Sequence, residues 1–194
     1  MATATEAREV GGVEVPPAGD WKIDPGHSRI TVVARHLMVS KVRGTLDRFE
    51  GTIHIAERPE DSWVEVSIDA ASVNTANPPR DEHMRSPDFL DVENHPKIEF
   101  RSSGTEVTGD NRLRVLGDLT VRGTTRPVEL DVEYLGLTTD PWGNTRAGFT
   151  ATTELHREEW GMTWNQALET GGVLVGPTLQ VELDIQAIRQ PPAS

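Results

Sequence analysis

The feature that most constrains this chain is a hydrophobic period of two that recurs along nearly its whole length. Val64, Val66, Ile68 and Ala70 alternate with Glu65, Ser67 and Asp69. Val128, Leu130, Val132 and Tyr134 alternate with Glu129, Asp131 and Glu133, and Ala147, Phe149, Ala151, Thr153 and Leu155 continue the theme. The last run is the cleanest, with Leu179, Val181, Leu183, Ile185 and Ala187 set against Thr178, Gln180, Glu182, Asp184 and Gln186. An earlier run sets Ile30, Val32, Ala34 and His36 against Arg29, Thr31, Val33 and Arg35. Successive side chains of a strand point to opposite faces, so each run puts one face in a core and the other in water, as an antiparallel sheet does. Counting Trp21–Asp24 with the Ile30 run, and adding Arg43–Ala56, Lys97–Ser103 and Arg112–Val121, the chain holds about eight strands.

Strands this long would leave open edges that template aggregation, and closure into a barrel removes them. The predicted fold is therefore all-β, a single eight-stranded antiparallel barrel, wide enough either to fill itself with side chains or to hold one small ligand. One helix is expected, Pro79–Leu90, with Pro79 at its start, as a short cap on the barrel. Turns are expected at Val39–Val42 and Glu158–Gly161. With 194 residues the chain is one domain, spanning 20–189. Residues 1–19, polar and ending in Pro16-Pro17-Ala18-Gly19, read as a flexible tail, and 190–194 as a second one.

Composition narrows the function. Cysteine is absent, which excludes disulfides, thiolate metal sites and a cysteine nucleophile. Lys and Arg total 19 against 31 Asp and Glu, a net charge of −12 that repels phosphate backbones and anionic bilayers alike. No window approaches the ~20 apolar residues of a membrane span, and the first residues carry no apolar signal core. The expectation is a cytoplasmic protein with no nucleic-acid partner and no stable membrane insertion.

Four constellations carry potential chemistry. The six histidines, His27, His36, His54, His83, His95 and His156, lack the close spacing of metal ligands, so no metal site is expected. His36, on an apolar face, reads as a hydrogen-bonded core histidine. The segment Arg80–Leu90 is either a cap presenting Arg80 or His83 to a polar head and Met84 and Phe89 to a tail, or a plain amphipathic plug. Trp142, Trp160 and Trp164, followed by Gly171, Gly172 and Gly176, either line an apolar pocket or pack a barrel end. Arg157 is either a head-group ligand or the partner of Glu158 or Glu159. No nucleophile and base fall together: Ser28 follows His27, so on a strand the two face apart. No Gly-x-Ser-x-Gly elbow or phosphate loop occurs.

An ordered series of signposts runs through Trp21–Ile188. It begins with Trp21-Lys22-Ile23-Asp24, His27-Ser28-x-Ile30, His36-Leu37, Val42-x-Gly44 and Phe49-x-Gly51. It continues with Asn74-Thr75, Arg80-Asp81-x-His83-Met84-Arg85-Ser86-x-Asp88-Phe89, Pro96-x-Ile98-x-Phe100 and Gly117-x-Leu119-Thr120-Val121-Arg122-Gly123-x-Thr125. Gly148-Phe149 and Arg157-x-x-Trp160-Gly161-Met162 complete it. In this series the chain resembles the YceI-like family of polyisoprenoid-binding proteins. The resemblance implies a lipocalin-like barrel around an elongated apolar tunnel, no catalytic residues and no cofactor. It implies a carrier or store for long isoprenoid chains or related amphiphilic lipids, with a homodimer as a family-based expectation. His95 and His156 depart from the aromatic and the Asn or Asp expected there. Val32 and Ala34 are smaller than the Phe and Val expected, so the tunnel is wider or longer if they face inward.

The site expected for that ligand comprises Val32, Ala34, His36, Arg80, His83, Met84, Phe89, Ala147, Phe149, Arg157, Trp160 and Trp164. The alternative is a small barrel enzyme or a redox-cofactor protein that turns His36 or His83 toward haem, a quinone or a metal. A third reading is an interaction module whose barrel is filled by its own side chains.

Overall fold

The alternating runs become strands that share one inward face. The computed structural model describes residues 6–192. The first part of the chain forms β1 (Arg8–Val10), β2 (Val13–Val15), β3 (Gly19–Ile23), β4 (Arg29–His36), β5 (Ser40–Leu46), β6 (Phe49–Ile55) and β7 (Trp63–Asp69). A two-residue strand β8 (Val73–Asn74) and the helix α1 (Pro78–Arg85) follow. The long strands come last: β9 (Lys97–Gly109), β10 (Arg112–Val121), β11 (Thr124–Thr139), β12 (Thr145–His156) and β13 (Val175–Arg189).

Eight of these strands close an antiparallel barrel in the order β12, β11, β10, β9, β7, β6, β3 and β13, with β13 pairing back onto β12. Closure depends on β13. One edge pairs with β12 from Thr178 to Ile188, while the other pairs with β3 through Ala187–Arg189 and with β4 from Val175 to Asp184. β3 and β4 are thus one strand interrupted by a 3₁₀ turn at Pro25–His27, where the Asp24 carboxylate accepts the Gly26 N–H at 3.0 Å. β4, β5 and β8 extend one end of the barrel as a flap. That end, here the upper one, also carries α1, the β10–β11 turn and the segment after β12. The lower end carries the β6–β7, β9–β10 and β11–β12 connections.

Several boundaries differ from the sequence expectation for local reasons. The helix ends at Arg85 rather than Leu90, because Pro87 keeps Ser86 extended. Asn77 opens it by accepting the Arg80 N–H at 3.0 Å. Phe89 and Leu90 leave the helix and are buried beneath it. The run Arg43–Ala56 is two strands, split between Leu46 and Phe49. The turn expected at Val39–Val42 lies earlier, on Leu37 and Met38, both in the left-handed region at φ 52° and 61°. The turn expected at Glu158–Gly161 is a 3₁₀ segment, Arg157–Trp160, stopped by Gly161 at φ 77°.

The largest correction is at the N-terminus. Residues expected to be a flexible tail form the β1–β2 hairpin, turned by Gly11 and Gly12, and its Val13 and Val15 are each only 4% exposed. The hairpin caps apolar surface that the lower end of the barrel leaves uncovered. The tail expectation for residues 1–5 and 193–194 lies outside the described residues. Gln190 continues the pairing, its N–H donating to the Asp20 carbonyl at 2.8 Å.

Glycine sets the wall thickness at one point. A Cβ on Gly117 would lie 2.5 Å from the Phe100 ring, so only glycine leaves room for that ring against β10. At the lower end Arg146 ties three elements together. Its Nε donates to Asp140 at 2.7 Å, and its Nη1 donates to Asp24 and to the Gln186 side chain, each at 2.7 Å. The Arg146 bond lowers the Asp24 carboxyl from its usual range. Burial alone would raise Asp140, yet Arg146 and Asn144 hold it far below.

Carboxyls depressed in the fold contribute stability that is present above their unfolded pKa of about 4 and is lost as pH falls through the folded values. Urea midpoints are therefore expected to fall steeply below about pH 4. An Arg146→Met variant, less stable at neutral pH, is expected to show a flatter acid limb. A limb as steep as the parent's contradicts this assignment.

Candidate functional site

The inward faces enclose a cavity of about 400 Å³, within the ~300–1,000 Å³ typical of small-molecule sites. It is a tunnel. Its lining on β13 runs from Val175 to Ile185, about 33 Å of strand at ~3.3 Å per residue and about 25 Å along the axis once strand tilt is allowed for. The middle is apolar, walled by Ile30, Phe49, Val66, Phe100, Leu119 and Leu183. Polar side chains gather toward the ends: His36, Thr75, Arg80 and Arg157 above, and Arg8, Ser62 and Thr105 below.

Arg80 is positioned by its own helix start. Its Nε donates to the Thr75 hydroxyl at 2.8 Å and its Nη2 to the Thr75 carbonyl at 2.9 Å. That hydroxyl donates on to Asp81, which is buried and also accepts the Thr75 N–H at 2.7 Å. The relay fixes the guanidinium plane and leaves Nη1 without a bonding partner among the described residues. A fixed guanidinium edge at an apolar mouth suits an anionic or hydroxyl head.

Arg157 solves a different problem. It is 1% exposed and has no carboxylate partner among the described residues; Glu158 and Glu159 are exposed. Instead its Nε donates to the Gly176 carbonyl at 3.0 Å, its Nη1 to Met162 and to Trp164 at 2.9 Å, and its Nη2 to Val175 at 3.2 Å. Four carbonyls thus hold the segment after β12 against the start of β13. Burial lowers the guanidinium pKa from its ordinary value. Arg157 lines the upper tunnel, so it places positive charge there while serving as a staple.

Eight residues of the expected site line the cavity: Val32, Ala34, His36, Arg80, Met84, Phe89, Phe149 and Arg157. Four do not. His83 Nε2 donates to the Asp88 carboxylate at 2.8 Å and packs its ring against Trp164 and Phe89, on the outer side of the cap. Trp164 belongs to that same cluster. Trp160 is buried in the upper core with its Nε1 donating to the Leu119 carbonyl at 3.0 Å. Ala147 shares a face with Phe149 and Ala151 but sits at the floor, 1% exposed, in the cluster of Trp21, Tyr134 and Ala187. His36 is half-buried at the mouth rather than in the core. Trp142 is exposed in the β11–β12 turn, at the opposite end from Trp160 and Trp164. Sequence reasoning missed Arg8, Val15 and Pro16 at the lower end, although Gly11-Gly12 between alternating residues is a hairpin signal.

Fold and site together define a closed antiparallel barrel with an apolar tunnel whose polar groups stand at its ends. A family model for the YceI-like domain matches residues 21–187, and the chain belongs to that family. A UPF0312 protein of Ectopseudomonas mendocina is 36% identical over 179 residues, 89% of each chain. A UPF0312 protein of Staphylococcus aureus is 36% identical over 166 residues, 84% of this chain and 94% of its own. Among solved structures, Burkholderia cenocepacia BcnA superposes with a TM-score of 0.72 at 18% identity, covering 84% of this chain and 98% of its own. A domain of Saccharophagus degradans described as polyisoprenoid-binding gives 0.64 at 15% identity, covering 88% and 98%. At these identities the two structures speak to fold alone.

The depth of each alanine generates a test. Ala151→Trp, projecting into the tunnel, is expected to abolish uptake of an apolar ligand in a protein that still folds. Ala147→Trp is expected instead to overpack the floor, lowering stability by about 1–3 kcal/mol or more. Chemical denaturation and a displacement assay with a fluorescent fatty acid separate the two. Equal effects of the two substitutions on uptake contradict the placement.

Proposed function

We propose that the chain is a non-enzymatic carrier or store for a long apolar ligand of polyisoprenoid type, threaded along the tunnel with its polar end at the upper mouth beside Arg80. The observation that carries this reading is the distribution of polarity: an apolar tube about 25 Å long, with a fixed, incompletely bonded guanidinium where a head group would emerge. Burial of apolar surface at roughly 25 cal/mol per Å² holds a chain of any exact structure, while one charged group orients it. The description of the Saccharophagus degradans domain as polyisoprenoid-binding agrees with this reading. His27, His54 and His83 are engaged by Asp24, Asp20 and Asp88 at 2.6–2.8 Å, and His36 lines the upper mouth of the tunnel.

Mass spectrometry of an organic extract of the purified protein is expected to show a prenyl species. A visible absorption band from a bound chromophore would favour the redox-cofactor alternative. The Arg80 role has its own test, titration of the parent and of Arg80→Ala with a prenyl phosphate and with the matching alcohol. Losing a charged hydrogen bond, at ~1.5–3 kcal/mol, is expected to weaken the phosphate by roughly 10- to 150-fold. Arg80→Lys is expected to recover part of it. Equal losses for phosphate and alcohol mean that Arg80 does not read the head.

A further inference from the structure

We propose that the β1–β2 hairpin is a removable stopper on the lower end of the tunnel and sets the length of chain the barrel accepts. This rests on the carrier reading above. The hairpin precedes the matched domain, residues 21–187, so it is an addition to the barrel rather than part of its ring. Arg8, Val15 and Pro16 line the lower tunnel, so a ligand entering from the upper mouth ends against them. Behind them Val13 and Pro17 are buried as well.

What holds the stopper is the burial of Val13, Val15, Pro16 and Pro17 together with a short set of polar bonds. Three residue pairs join its strands, Arg8 with Val15, Glu9 with Glu14 and Val10 with Val13. A two-stranded hairpin of this size is marginal by itself. Its bonds to the barrel come chiefly from Arg8. Nη2 donates to the Ala56 carbonyl and Nη1 to the Glu57 carboxylate, each at 2.8 Å, and Nη1 also reaches the Glu57 carbonyl at 3.3 Å. The Trp21 indole N–H donates to the Pro17 carbonyl at 3.2 Å, while the Arg8 Nε bond to Pro16 at 3.3 Å lies within the stopper itself. All of these bonds except the one to Glu57 Oε2 end on backbone carbonyls that water can satisfy if the hairpin lifts.

One group gains from opening. The Tyr134 hydroxyl, in the floor of the barrel where β2 packs against β11, is buried without a partner, the sole such side-chain atom among the described residues. Burial first, and then the nearby Glu14 carboxylate, push its pKa up to about 12. A neutral donor sealed without an acceptor is hydrated once the hairpin moves away. Opening therefore costs this hydroxyl no protein hydrogen bond and gives it access to solvent. A chain longer than the closed tunnel supplies the apolar contact that replaces Val15 and Pro16 at the exit.

The test compares farnesol with solanesol, a much longer prenol, by displacement of a fluorescent fatty acid from the full-length chain. The parent is compared with Arg8→Ala and with the double variant Arg8→Ala, Val15→Asp, whose buried carboxylate drives the hairpin off the floor. The ratio of solanesol to farnesol affinity is expected to rise roughly tenfold or more in the double variant and to an intermediate degree in Arg8→Ala. A cooperative thermal transition verifies that each variant is folded. As a second reading, Val15→Cys places a single thiol in a chain with no cysteine. Its alkylation by a maleimide is expected to be slow in the free protein and with farnesol, and fast with solanesol. An unchanged affinity ratio together with alkylation indifferent to chain length overturns the stopper and leaves the carrier reading standing. Failure of the parent to take up either prenol overturns the carrier reading and the stopper with it.

Discussion

The ladder on both edges of β13 is the interaction on which everything else rests. That strand joins β12 on one side and the divided strand β3 and β4 on the other, so no ring edge is left to seek a partner in another molecule. It also supplies one continuous wall of the tunnel, Val175 through Ile185. A sheet of the same residues left open would collapse its apolar face onto itself or onto a second sheet. Closure keeps opposite walls apart at a distance set by strand number and stagger, and a cavity is the result.

Polarity in this molecule is organised by position along the axis. Three of the arginines that reach the tunnel are held by backbone carbonyls or a hydroxyl rather than mainly by carboxylates: Thr75 for Arg80, four carbonyls for Arg157, Ala56 and Pro16 besides Glu57 for Arg8. In a chain of net charge −12, that choice leaves the positive charge of Arg80 and Arg157 without an ion-pair partner among the described residues where the apolar interior meets the surface, while Arg8 is paired with Glu57. The exterior acids meanwhile engage arginines such as Arg48 and Arg58 in surface pairs, each contributing little, whereas the pairs of Arg146 with Asp24 and Asp140 are shielded from water.

The barrel was legible because a period of two is a direct image of the pleat: the inward residues of β7, β11, β12 and β13 could be named from alternation alone. Depth along the axis leaves no such image. Ala147 and Ala151 share one face of one strand and read identically, yet one is floor and the other is wall. His36 looked like a core residue for the same reason, since its strand runs on past the core to the mouth. The partners of Arg157 were invisible because backbone carbonyls have no sequence signature, and the adjacent glutamates were the only acceptors the sequence displayed. The N-terminal hairpin was hidden by its surroundings: three valines and two prolines among polar residues resemble a tail until the barrel floor beneath them is known.

The position of β13 in the chain has a kinetic corollary. The ring closes between a strand that starts at Gly19 and one that ends at Arg189, so the decisive contacts join the two ends of the sequence. Loop closure of that length must be achieved before its ladder is formed, which places this topology among slow folders. During synthesis the growing chain exposes two unpaired edges, those of β3 and β12, until the final strand has emerged. The exposed charges on those strands, Asp20 and Lys22 on β3 and Glu154 on β12, then have a second duty, keeping nascent chains apart while each waits for its own closing segment.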